Sequence, residues 1–124
     1  MTRNEFEKLV AAALDHVPEK FIKHMKNVAV LVEEGEDTGE ILGLYQGVPL
    51  SERGDAYGID MTLPDTITLY MKPILREAEE SRLTATQVVE ETLWHEIGHY
   101  FGLDEGAVHA REEEGTNRYG GAVY

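Results

Sequence analysis

Thr92-Leu93-Trp94-His95-Glu96-Ile97-Gly98-His99-Tyr100-Phe101-Gly102-Leu103-Asp104-Glu105 is the stretch on which the reading of this chain turns. It carries the pattern H-E-x-x-H-x-x-G-x-x-E. Two histidines four residues apart lie one turn from each other on the same face of an α-helix. From there both imidazoles reach one metal ion at roughly 2 Å, the zinc–nitrogen distance. Glu96 is turned about 100° around the helix from His95. That sets its carboxylate beside the ion rather than on it, within reach of a water the ion activates. Gly102 then ends the helix. Glu105 follows His99 by six residues, where the chain can fold back and offer a third ligand, with the adjacent Asp104 as the alternative.

Three features around the motif agree. It lies inside a helical pattern, that helix has a start signal, and a glycine and a carboxylate follow at ligand spacing. The start signal is Thr84 with Gln87, a capping box. Val89, Leu93, Trp94, Ile97, Tyr100 and Phe101 cover a wide arc of the helix, while Thr92, His95 and His99 share a narrow stripe. So apolar a helix is central and buried, open only where the stripe meets a cleft. Histidines on such a helix are usually core residues with satisfied hydrogen bonds. Glu96 argues against that here, because an unpaired buried carboxylate is costly.

Composition sets the outer bounds. The chain has 124 residues, 42% of them hydrophobic, which is enough for one small globular domain, with 115–124 expected as a mobile tail. There are no cysteines, so disulfides, thiolate ligands and a cysteine nucleophile are excluded. The formal charge of −13 repels nucleic acid and anionic membrane. Much of that charge serves solubility; as a weaker inference, it favours basic or neutral peptides over acidic ones. No apolar run approaches a membrane span, and residues 1–5 read as a polar helix start rather than a secretory signal, so a cytoplasmic location is expected.

Around the motif the chain alternates between helical and extended patterns. Thr2 and Glu5 form a capping box for a helix over roughly 3–16, with Phe6, Leu9, Val10, Ala13 and Leu14 at helical spacing. Pro18 opens a short second helix whose Phe21, Ile22 and Met25 face inward. His16 and His24 fall among charged positions and are read as surface residues. The β-branched run Val28–Val32 predicts a buried strand. An acidic turn over 33–40 leads to a second strand at 41–45, expected to pair with the first as a hairpin. About fifteen residues from Gly47 to Pro64 lack a regular pattern; a loop that long can wall a cleft. Residues 66–71 alternate with period two between Pro64 and Pro73, which suits an edge strand. Pro73 then opens a helix to about Glu80, and 104–114 predicts a short last helix.

With these segments in view, the chain resembles the short zincin-like metallopeptidases of bacteria. The resemblance runs over the Asn27–Val32 strand, residues 41–50 with Glu52 and Arg53, residues 64–70, and His95 to Leu103. It implies an α+β, minimal zincin-like fold in which a small mixed β-sheet packs beside the central HExxH helix. It also implies zinc held by His95, His99 and an acid after Gly102, with Glu96 as general base. Metzincins share the spacing but place histidine where this chain has Glu105, and they carry a methionine turn that is missing here. Gluzincins take a glutamate ligand from a helix further downstream.

The resulting expectation is a zinc metallopeptidase with one Zn2+ per chain, acting on a peptide or unfolded protein. The third ligand would be Glu105 or Asp104. An extended substrate would add to strand 66–71 by backbone pairing. Tyr57, Tyr70, Tyr119 and Tyr124 are candidates for an oxyanion donor, although packing or surface roles account for each of them. Two other readings use the same residues. One is an interaction module whose zinc is structural, with His109 or Asp104 as a fourth ligand; the other is a hydrolase of non-peptide amides.

Overall fold

A computed structural model describes residues 1–25, 27–47 and 64–102. The elements follow in the order α1 (Arg3–Asp15), α2 (Glu19–Ile22), β1 (Val28–Glu33), β2 (Gly43–Gln46), β3 (Asp65–Tyr70), α3 (Met71–Ser81) and α4 (Ala85–Tyr100). Among the described residues the architecture is α+β: a three-stranded mixed sheet packed against the motif helix α4.

Both predicted capping boxes are formed. At α1 the Thr2 hydroxyl accepts from the Glu5 N–H at 3.1 Å, and the Glu5 carboxylate accepts from the Thr2 N–H at 2.8 Å. Those bonds to Thr2 hold the Glu5 carboxyl below its ordinary range. At α4 the Thr84 hydroxyl accepts from the Gln87 N–H at 3.1 Å, and Gln87 reaches back to the Thr84 N–H at 2.9 Å. At the far end Gly102 has φ +89°, and its N–H donates to the His99 carbonyl at 2.9 Å. That backbone conformation suits glycine, as the predicted helix stop requires. The α3 helix begins two residues earlier than predicted, with Tyr70 at its N-cap and Pro73 still within the first turn, where a proline costs no hydrogen bond.

The sheet departs from the sequence reading in two ways. Strand order is β1-β3-β2, with β3 parallel to β1 and antiparallel to β2. So β1 and β2 do not form a hairpin, and β3 is the central strand rather than an edge. Each error has a physical source. The acidic segment after β1 is not a tight turn. The Lys72 N–H donates to the Glu34 carbonyl at 2.8 Å, and the Arg76 guanidinium donates to the carbonyls of Asp37 and Gly39. Held on α3, the segment crosses the end of β3 and delivers β2 to its opposite side. As for β3, Pro64 lies just before it and Pro73 already belongs to α3, so neither removes a ladder donor. Burial agrees with the centre: Ile67 and Leu69 are fully buried, and Thr68 is buried too.

Strand β1 is correspondingly more open than its apolar run suggests. Val32 is buried, but Leu31 is 44% exposed. A β-branched run reports preference for extended backbone as much as burial. Ile22, predicted to face inward, is also exposed, because α2 is a single turn and only Phe21 and Met25 reach the core.

The buried side chains form a contiguous cluster of Phe6 and Val10 from α1, Ile67 and Leu69 from β3, Ile74 from α3, and Val89, Leu93 and Ile97 from α4. Helix α4 touches α1, α3, β2 and β3, which is why its arc of apolar residues has to be so wide. His16 has a tie that its surface reading did not foresee: its Nδ1 lies 2.8 Å from the Glu90 carboxylate, joining the end of α1 to α4. At the other end of α4, the Tyr100 hydroxyl donates to the His24 carbonyl at 2.6 Å.

Candidate metal centre

On α4 the ring centroids of His95 and His99 are 5.0 Å apart. A nitrogen from each of them and a carboxylate oxygen of Glu96 all lie within 4.8 Å of one another. Among the described residues this is the one group of three or more such side chains that could hold a metal ion. The burial is uneven in a useful way. Glu96 is only 8% exposed, whereas His95 and His99 are half-buried. The apolar arc therefore seats the helix, and His95 is left facing an opening.

That opening is a cleft of about 400 Å³ beside the motif helix. His95, Glu96, Thr92, Glu91 and Val88 line it from α4, Glu77 from α3, and Ile41, Leu42 and Gly43 from the approach to β2. Gly43 is what lets β2 come so close. A Cβ placed on it would lie 2.7 Å from Cγ2 of Thr92 and 3.2 Å from Cγ of Glu96. A glycine inside a strand pattern signals such an approach, and that signal was available in the sequence. Gly43→Ala is accordingly expected to destabilise the fold by about 1–3 kcal/mol through overpacking, because the β-branched Thr92 has little rotamer freedom to yield. Urea unfolding measures it. Adding Thr92→Ser, which deletes the opposing methyl, should recover much of the loss; no recovery would place the strain elsewhere.

The chain's sequence relationships agree with this site. A family profile described as zincin-like metallopeptidase matches residues 23–115, well over half of the chain. The chain belongs to the zincin-like metallopeptidase family. Among solved structures it is similar to a conserved hypothetical protein from Thermo thermophilus, with 30% sequence identity and a TM-score of 0.51, covering 80% of this chain and 92% of that one. No curated protein matches at a significant level.

For a zincin-like metallopeptidase the histidine pair fits zinc: two imidazole nitrogens lie within one small volume, with the Glu96 carboxylate beside them. The third-ligand candidates Glu105 and Asp104, together with His109, lie outside the described residues, as do Tyr57, Tyr119 and Tyr124. Most of the long segment from Gly47 to Pro64, the predicted helix at 104–114 and the tail at 115–124 lie outside them as well. Tyr70 is described; it caps α3 and is not among the residues lining the cleft. Strand β3 is paired on both sides, so it has no free edge for an extended substrate. No helix among the described residues is long and apolar enough to cross a membrane.

Proposed function

We propose that this chain is a zinc-dependent peptidase that hydrolyses peptide bonds, with His95, His99 and Glu105 as the metal ligands and Glu96 as the general base. The observation that carries the reading is the position of Glu96. It is a buried carboxylate that reaches the histidine cluster and also lines an open cleft. A closed structural zinc site has no use for a base on a cleft wall. When bound, zinc would lower the pKa of a water toward ~7 and polarise the scissile carbonyl. Glu96 takes the proton of the attacking water and returns it to the leaving amine. Its burial next to Thr92 and the β2 backbone holds the carboxylate in one place and limits competing bulk water.

Substrate would lie along β2 rather than β3. Among the described strands β2 has an outer edge without a partner, and Leu42 and Gly43 bring that end of the strand to the cleft. Backbone pairing there reads little sequence, which suits a peptide or an unfolded protein. The opposite edge of the sheet is less available: the Arg3 guanidinium donates to the Val32 carbonyl at 2.6 Å.

The function is tested with zinc-loaded protein and an unstructured protein substrate. New fragments should form, cease on chelation and return with added zinc; failure of the loaded chain to cut any such substrate would count against the reading. The third ligand is tested separately. Glu105→Ala is expected to weaken zinc binding by more than the roughly 10- to 100-fold typical of lost outer-sphere support, and Asp104→Ala by no more than that. Competitive chelator titration ranks the two, and the reverse order moves the ligand to Asp104.

A further inference from the structure

Gly43 meets two side chains of α4 at once. Thr92 and Glu96 are four residues apart, so they neighbour each other on one face of the helix. Helical side chains lean toward the N-terminus, which carries Glu96 back toward the turn that holds Thr92. Strand β2 crosses there. A Cβ on Gly43 would stand 2.7 Å from Cγ2 of Thr92, 3.2 Å from Cγ of Glu96 and 3.4 Å from Cδ2 of Leu69. Ordinary carbon contacts need about 3.5–4.0 Å, so a methyl here presses on all three. Leu69 has no room to give way, because it is fully buried on the central strand.

The strand cannot easily retreat either. Gly43 lies opposite Leu69 in the antiparallel pairing of β2 with β3. Next to it the Tyr70 N–H donates to the Leu42 carbonyl at 2.9 Å. Leu42 and Tyr70 therefore form a hydrogen-bonded pair, and Gly43 sits in the closer, non-hydrogen-bonded pair. Backed in this way by the central strand, the Gly43 backbone is a fixed wall against the middle of the Glu96 side chain.

We propose that Gly43 is a positioning residue for the general base: its bare backbone sets where the Glu96 carboxylate stands beside the histidines. The inference rests on the peptidase reading for the role of Glu96. Every atom of the side chain beyond Cγ moves when Cγ moves. A base has to come within about 2.6–3.2 Å of the proton it takes, directly or through one water. Misplacement by about 1 Å can cost on the order of 10²-fold in rate. The two contacts of Gly43 thus have separate consequences: the one to Thr92 governs stability, and the one to Glu96 governs rate.

Substitution separates them. Thr92→Ser deletes the methyl that a Gly43 Cβ would meet at 2.7 Å and leaves the 3.2 Å approach to Glu96. Gly43→Ala is introduced into that background and compared with Thr92→Ser alone, both loaded with zinc. The urea midpoint should move little. KM and zinc affinity should stay within about twofold, while kcat for an unstructured protein falls on the order of tenfold. Acetohydroxamic acid gives a second readout that needs no peptide substrate. It chelates zinc as an anion and has a proton to give up, which a base beside the ion accepts. Its affinity should fall several-fold in Glu96→Gln, and by a similar factor when Gly43→Ala is added to Thr92→Ser. A kcat equal in the two serine-background proteins, a loss confined to KM or to zinc affinity, or equal acetohydroxamic acid affinity in the two would overturn the proposal. If neither the parent chain nor Thr92→Ser cuts any peptide, the peptidase reading fails, and the acetohydroxamic acid comparison decides for or against Gly43.

Discussion

Replacing His95 and His99 together by alanine is expected to leave the purified protein without zinc, against about one ion per chain in the parent. The two rings stand 5.0 Å apart on consecutive turns of α4, and their ligand atoms share one small volume with Glu96. Removing both takes away two direct nitrogen donors and leaves carboxylates, a much poorer zinc site. The loss should far exceed the roughly 10- to 100-fold that follows loss of an outer supporting group. Both histidines are half-buried, and neither belongs to the apolar cluster that seats α4. The fold should therefore survive, as circular dichroism can verify. Elemental analysis reads the metal directly, and unchanged zinc in the double variant would mean that the ion is held elsewhere.

Glu96→Gln is expected to separate metal binding from catalysis. The amide is nearly isosteric with the carboxylate but cannot take a proton at neutral pH. At 8% exposure the side chain is packed against Thr92 and β2, so a substitution of equal size should leave the surroundings in place. Zinc content should stay close to that of the parent, while hydrolysis of an unstructured protein falls by about 10²–10⁴, the range for loss of a general base. Initial rates of fragment formation at matched zinc occupancy measure the effect. Cleavage at the parental rate would remove Glu96 from the mechanism whatever the metal does. A parallel loss of zinc would instead make Glu96 a ligand.

Much of this molecule is local enough to be read from the chain. The His95-Glu96-x-x-His99 spacing, the two capping boxes at Thr2 and Thr84, and the stop at Gly102 each depend on residues within about one helical turn of one another. The structure reproduces all of them. The apolar arc of α4 likewise announced a helix packed on several sides, because a wide stripe has to be covered by several neighbours.

Strand order was a different kind of question. The order β1-β3-β2 depends on where Arg76 and Lys72 of α3 hold the acidic segment, and those contacts span 37 to 39 residues. A period-two pattern shows which side chains share a face, but not which strand sits in the middle. Prolines flanking 66–71 looked like marks of an edge, yet both fall outside the ladder once the helix boundary is known. The cleft is non-local for the same reason. Gly43 meets Thr92 and Glu96 across some fifty residues of sequence, and Glu77 joins Glu91 only because α3 packs on α4. Helical spacing within one turn could place a candidate metal centre on α4, whereas the shape and charge of the space beside it came from packing between elements distant in sequence.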